Sequence, residues 1–238
     1  MKKVQIAGIL PLVVLSLSVL AAGQTASNSL DDQLVRAAAR GDTAAVQQLL
    51  QKGANIESKS SSVIDNYTSG MTALLMATCK GNAEVVKLLL EKGANTEAKA
   101  EISGFTPLFC AVMKGNTEVV KLLLEKGANT EIRDGGGCTP LIVAVGNVSG
   151  FGEQSPGRTE VVKLLLDKGA NIEAWDYAFH QTPLLWAAYF GHIDAVKLLL
   201  KKGARIEAKN KQGNTALIVA LGQGNMEIVK LLREKGAH

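Results

Sequence analysis

The segment 85–95, which has the sequence VVKLLLEKGAN, predicts a helix that is apolar on more than one side. Five of its first six residues are apolar, and only Lys87 interrupts them. Such a helix must bury one flank against a partner helix and another against a further layer. The same letters return at 119–129, and near-copies start at 45, 161, 195 and 228.

Successive copies of this segment lie 40, 34, 42, 34 and 33 residues apart, and a period near 33 is typical of stacked repeat arrays. Each unit predicts two helices. In the third unit, Thr106 caps a first helix that has Pro107 in its first turn and ends at Gly115 in the left-handed conformation. A second helix starts at Glu118 and ends before Gly127. The pattern predicts an all-α solenoid of about six helix-turn-helix units.

These motifs closely resemble the ankyrin-repeat family. The Thr-Pro-Leu triplet recurs at 106–108, 139–141 and 182–184, with a Gly between the helices, Val-Val-Lys-Leu-Leu and Gly-Ala-Asn after it. The resemblance implies β-hairpin-like fingers between units and a concave face that binds other proteins. It covers about residues 29–238, with units near 29–58, 66–99, 100–133, 134–175, 176–209 and 210–238.

Both ends and two inserts depart from the regular unit. The first unit is rich in polar residues, and Arg233 replaces a Leu of the repeated segment in the last unit. We therefore expect polar outer faces that cap the array. The extra residues of units two and four lie within Ser58–Gly70 and Gly146–Arg158, and we expect the second insert to be a surface loop.

Residues 1–23 have the pattern of a signal peptide, and 24–28 form a short linker. Lys2 and Lys3 precede an uncharged stretch from Val4 to Leu20, and small residues follow it. We expect an exported protein, periplasmic or secreted, without stable membrane insertion after cleavage. The alternative is an uncleaved membrane anchor. The net charge of +4 is too small for a nucleic-acid-binding surface, so no nucleic-acid partner is expected.

The sequence offers no pattern of catalytic or metal-binding residues. The three cysteines show neither a disulfide framework nor a metal-clip spacing, and we expect them to be small, buried or half-buried apolar residues. The three histidines lack a second ligand at i+3 or i+4. We expect no enzyme activity, no cofactor and no metal site.

Aromatic residues make up only 4% of the chain, yet six of them lie between Trp175 and Phe190. The ankyrin resemblance places Trp186 in the core or groove floor and the other five on the partner-binding side. Exposed aromatic residues with a partly basic rim are typical of protein interfaces. The predicted partner-binding residues are Trp175, Tyr177, Phe179, Tyr189, Phe190, Arg133, Lys209, Lys211 and Gln223.

These observations favour a monomeric, non-catalytic adaptor that binds another protein through its concave face. A narrower alternative is a periplasmic inhibitor or immunity protein that neutralises an exported toxin or enzyme. Two further alternatives are an enzyme whose residues lie in the inserts and a structural spacer of the cell envelope. A packing role for the aromatic residues of unit five is a further alternative to the binding role.

Overall fold

The computed structural model describes residues 29–60, 70–101, 103–146 and 158–238, and within them the chain forms six antiparallel helix pairs. No strand occurs in these ranges, which confirms the all-helical prediction; a single isolated bridge pairs Lys59 with Thr72. The helices are α1 (Leu30–Arg40), α2 (Thr43–Gln51), α3 (Ala73–Lys80), α4 (Ala83–Glu91), α5 (Pro107–Lys114), α6 (Thr117–Glu125), α7 (Pro140–Val145), α8 (Arg158–Asp167), α9 (Pro183–Phe190), α10 (Ile193–Lys201), α11 (Ala216–Gln223) and α12 (Met226–Glu234).

The first helix of a unit begins and ends where its capping residues predict. The Thr106 hydroxyl accepts a hydrogen bond from the Phe109 N–H, which satisfies a backbone donor that the helix leaves unpaired. Gly115 follows α5 with φ 67°, a left-handed conformation that costs glycine little, and its N–H bonds to Ala111 and Val112 carbonyls. The same Thr cap recurs at Thr72, Thr139 and Thr215.

The core is the seam between successive helix pairs. Each first helix packs on the first helix of the next unit, and each second helix packs on the next second helix. Leu123 in α6 has no exposed surface, as expected for the repeated segment, and Leu89, Leu165 and Leu199 are equally buried. Each unit therefore buries its apolar flanks only by stacking, as in other solenoids.

A row of carboxylates joins the ends of the units. Glu97 Oε1 accepts a hydrogen bond of 2.9 Å from the Asn129 N–H, and Glu131 Oε1 accepts one of 2.9 Å from the Asn171 N–H. Equivalent bonds pair Asp31 with Asn55, Glu57 with Asn95, Glu173 with Arg205 and Glu207 with His238. This ladder, as we call it, runs from the first unit to the last along one edge of the stack.

Polar residues between the two helices of a unit reach back to the preceding unit. Asn82 Nδ2 donates to the carbonyls of Ala38 and Ala39 at 2.8 and 3.1 Å. His192 holds the same place in unit five, with Nδ1 at 2.7 Å from the Val145 oxygen. Because a carbonyl only accepts, His192 carries its proton on Nδ1. These bonds satisfy carbonyls at the ends of first helices.

The expectation of a polar outer face on the last unit is wrong. Ile218, Leu221 and Met226 are 46%, 43% and 63% exposed. Ile218 stands where unit five has Leu185, which a following unit covers completely. Arg233 is exposed, but the polar substitution stays confined to α12 and does not extend to α11. The last unit thus shows the apolar side that an inner unit would bury.

The predicted signal peptide and linker (1–28) lie outside the described residues, as do most of the two inserts (61–69 and 147–157). Over the ranges that the structure does describe, no helix combines the length and apolar character that crossing a membrane requires.

Candidate partner-binding surface

The finger of unit five is organised around the buried carboxylate of Asp176, which is 2% exposed. Its Oδ1 accepts a hydrogen bond of 2.7 Å from the Phe179 N–H. Its Oδ2 accepts two more, from the Gln181 N–H at 2.9 Å and from Trp186 Nε1 at 3.1 Å. Three donors compensate for the removal of this charge from water. Asp176 therefore ties the finger to the first helix of the same unit.

Two exposed rings stand on this finger. Trp175 is 41% exposed and Tyr177 is 52% exposed. The Arg133 guanidinium, from the equivalent position one repeat earlier, lies 5.7 Å from the centre of the Trp175 ring and 5.5 Å from that of Tyr177. A guanidinium at this distance over an aromatic face is held by cation–π attraction. Behind Trp175, the His180 ring lies 4.1 Å away, on a residue with a left-handed φ of 54°.

Neighbouring fingers hold these rings in place through backbone bonds. The Tyr177 N–H donates to the Gly136 carbonyl at 2.9 Å, and the Tyr177 ring covers Gly137, where any Cβ would collide with it. Arg133 Nη1 donates to the Gly137 and Trp175 carbonyls at 2.6 and 2.7 Å. The ring of Tyr177 thus lies against the finger of unit four (133–138, the fourth finger) on one side and is open to solvent on the other.

The finger of unit six (209–214, the sixth finger) contacts the finger of unit five through Lys211. Lys211 N–H bonds to the Phe179 carbonyl at 3.0 Å. The Lys211 ammonium donates to the carbonyls of Tyr177 and Ala178 at 2.7 and 3.1 Å. We use the name aromatic finger for Trp175–His180 together with Arg133 and Lys211. Its backbone is fixed by both neighbours.

A second aromatic group surrounds Trp186, which is buried, as expected for a core or groove-floor residue. Phe179 and Tyr189 meet its ring edge to face at 6.1 and 5.7 Å, and Phe190 stacks on it at 5.5 Å. All three are half-buried and pack against the hydrophobic core. Aromatic pairs at these distances and angles are stabilising in the isolated chain.

The predicted site residues therefore fall into two groups by exposure. The exposed ones are Trp175, Tyr177, Lys209, Lys211 and Gln223, and the half-buried ones are Phe179, Tyr189, Phe190 and Arg133. The alternative of a packing role holds for Phe179, Tyr189 and Phe190, because their rings surround Trp186. Arg133 is no simple rim charge, since its guanidinium is engaged by groups of the chain itself. Lys209 stands at the end of unit five and Gln223 at the end of α11 in unit six, and neither belongs to the aromatic finger or to the group around Trp186.

Sequence reasoning missed Asp176, which joins the two aromatic groups. A signal was present, because Asp134 and Asn210 stand at the same place in the adjacent units. Asp134 Oδ1 accepts bonds from the Gly136 and Cys138 N–H groups, and Asn210 Oδ1 does so from Gln212 and Asn214. A short side chain that accepts from its own turn is the mechanism by which Asp and Asn favour such turns.

No group of three or more potential metal ligands occurs in the part of the chain that the structure describes. The candidate site consists of aromatic rings and cations, whose chemistry suits contact with another macromolecule.

The family profile described as "Ankyrin repeats (3 copies)" matches residues 34–134, 98–176 and 154–238. The chain belongs to the ankyrin repeat family. Ankyrin repeats are generally protein-interaction scaffolds, and their domains are typically non-catalytic binding modules. The family therefore supports a protein as the partner class.

Among solved structures, the chain is similar to the crystal structure of an ankyrin repeat domain from Acinetobacter baumannii AYE. The two are 30% identical, with a TM-score of 0.73, over 86% of this chain and 98% of the other. Among curated proteins, none matches the chain.

Proposed function

We propose that this protein is an exported scaffold that binds another protein through its concave face, with the aromatic finger at the centre of the contact. Solenoid curvature gives repeat arrays extended concave surfaces. The proposal takes Trp175 and Tyr177 as the anchors and the half-buried Tyr189 and Phe190 as a floor beside them.

The observation that carries the proposal is that the two exposed rings are held rigidly. Arg133 and Gly137 of the fourth finger and Lys211 of the sixth finger contact this segment in the free chain, before any partner arrives. A side chain that is already ordered loses little conformational entropy on binding, so more of its contact energy remains as affinity. Tryptophan and tyrosine in such positions are the residue types that dominate binding hot spots.

The surroundings of the rings fit the rim of an interface. Lys211 of the aromatic finger is exposed, and Lys209 and Gln223 are exposed polar residues toward the end of the described stack. A polar rim around an apolar centre keeps water from the centre and sets the orientation of the partner. Two lysines on this side favour a partner with acidic residues around its own contact.

The binding proposal is tested with a partner captured from the cell envelope and then purified. Trp175→Ala and Tyr177→Ala should each weaken its affinity by about 2 kcal/mol, roughly 30-fold, because each removes an anchor. The melting temperature of the same variants should fall by only about 2–4 °C, because each ring has a limited role in packing.

The matched control is Ile218→Ala, which removes a similarly exposed apolar side chain outside the aromatic finger. It should leave the affinity unchanged. If the two ring variants melt normally and bind the partner as tightly as the parent, the contact lies elsewhere on the array. A partner enzyme that loses activity in the complex would favour an inhibitor over an adaptor.

Export is a separate part of the proposal and rests on Lys2, Lys3 and the uncharged stretch that follows them. Its test is the intact mass of the protein from the envelope fraction. A chain that begins just after Ala22 or Gly23 supports export with cleavage, whereas one that still begins at Met1 contradicts it.

A further inference from the structure

Two cysteine thiols meet at the seam between units two and three. Cys79 lies in the last turn of α3 and Cys110 lies in α5, 31 residues further along the chain. Their Sγ atoms are 2.7 Å apart. The third cysteine, Cys138, lies in the fourth finger and is buried. The pair was not apparent from the sequence, because its spacing is set by the stacking of units and by no local motif.

We propose that Cys79 and Cys110 are a disulfide site, in which Cys79 is the attacking thiol and Cys110 is the resolving thiol. The bridge would join the first helices of two adjacent units covalently. The inference concerns a different part of the array from the aromatic finger and holds whether or not the protein is exported.

The two thiols have unequal environments, and this inequality supports their roles. The hydrogen bond between the two thiols lowers the pKa of Cys79 against the opposing effect of burial, and Lys114 and Lys80 lower it further. The same hydrogen bond and burial raise the pKa of Cys110 well above its ordinary value. Because the thiolate is the nucleophile, Cys79 reacts first.

Solvent access also favours Cys79 as the attacking thiol. Cys79 is half-buried, whereas Cys110 is only 6% exposed. In the helix register, Cys110 and Cys79 stand where unit five has Trp186 and Tyr189, so the pair occupies the positions that hold the aromatic group around Trp186 in unit five. Cys79 is therefore the more accessible of the two thiols to an oxidant.

The reaction requires an oxidant that is itself a disulfide, such as oxidised glutathione or an oxidised thiol–disulfide oxidoreductase. The Cys79 thiolate attacks one sulfur of the oxidant, forms a mixed disulfide and releases the first thiolate. Cys110 then loses its proton and attacks Cys79 Sγ, so that the Cys79–Cys110 bond forms and the second thiolate leaves. Two protein thiols are oxidised, and one disulfide is reduced to two thiols.

The test oxidises the purified full chain with glutathione disulfide and follows it by alkylation and mass spectrometry. We expect two thiols to disappear and one, Cys138, to remain. After tryptic digestion without reduction, residues 60–80 should be linked to residues 100–114. The bridge should form at least ~10-fold faster in the folded chain than in urea, because the fold holds the two sulfurs together.

Single variants separate the two roles. In Cys110→Ser, Cys79 should stop at the mixed disulfide with glutathione; in Cys79→Ser, Cys110 should stay reduced. Cys138→Ser is the matched control and should bridge as the parent does. Alanine replaces serine at any position where the far-UV circular dichroism shows loss of helix.

Three unreacted thiols in the folded parent would overturn the proposal. So would a link that involves Cys138, or equal bridging rates in the folded and unfolded chains.

Discussion

Exchanging Asp176 for asparagine keeps the shape of the side chain but replaces one carboxylate oxygen with an NH2 group. Three donors converge on this carboxylate, one on Oδ1 and two on Oδ2. In either orientation of the amide, the NH2 group faces at least one N–H. The better orientation turns it toward Phe179 and keeps the bonds to Gln181 and Trp186, although these lose the charge of the acceptor.

The expected loss of stability follows from the number of donors that lose their acceptor or its charge. One buried donor is left unpaired, which costs about 1–3 kcal/mol, and two bonds become weaker neutral ones. We expect Asp176→Asn to lower the free energy of unfolding by about 2–4 kcal/mol. For a chain of this size, that corresponds to a melting temperature lower by roughly 4–15 °C. Urea unfolding followed by circular dichroism measures the difference directly.

Asp134→Asn is the matched control. Asp134 uses Oδ1 alone for the Gly136 and Cys138 N–H groups, and Asn210 makes the same two bonds in unit six with an amide oxygen. This variant should therefore stay within about 0.5 kcal/mol of the parent. If Asp176→Asn proves as mild as Asp134→Asn, the carboxylate does not serve three donors and the account of the aromatic finger fails.

Three further changes test other parts of the molecule. Leu123→Ala should lower the free energy of unfolding, measured in urea, by about 2–5 kcal/mol, because Leu123 is fully buried. Leu122 is only half-buried, so Leu122→Ala should lower it less; equal losses would contradict the burial of Leu123 between units. Glu131→Ala should lower the free energy of unfolding by about 0.5–1.5 kcal/mol, and Glu131→Gln should lower it less, because glutamine still offers an oxygen to the Asn171 N–H. A smaller loss in the alanine variant than in the glutamine variant would contradict the role of the ladder bond. Burial raises the pKa of the Cys138 thiol to about 12, so with rising pH this thiol ionises in the unfolded chain before it does in the folded chain, and the free energy of unfolding should fall between about pH 9 and 12. In Cys138→Ala this fall with pH should be shallower; an equally steep fall in the parent and the variant would contradict the raised pKa.

The sequence was sufficient to predict the helices and their order, because each unit repeats its own start and stop signals. Thr106 and Gly115 bound α5 as expected, and the apolar flanks of the repeated segment left burial of Leu123 as the only stable outcome. Local signals of this kind depend on neighbours within one or two turns, so a single sequence carries them.

Contacts between units were harder to predict. Cys79 and Cys110 meet only because α3 packs beside α5, and the Arg133 guanidinium reaches Trp175 from a different unit. The exposed Ile218 was missed because its own residue type matches the inner units; only the absence of a following layer in the described stack exposes it. Side-chain position across a seam depends on register between units, which the periodic pattern does not specify.

The ladder has a consequence for how such an array can gain or lose whole units. Each inner unit contributes one acceptor toward the next unit and receives one bond at a backbone N–H, whatever residue stands there: Asn129, Arg205 and His238 all serve as donors. Duplicating or deleting a whole unit in the gene therefore brings a ladder acceptor next to a ladder N–H again, so that neither of these two groups is left unpaired at the new junction. The array can lengthen or shorten by complete units without a compensating mutation along this edge.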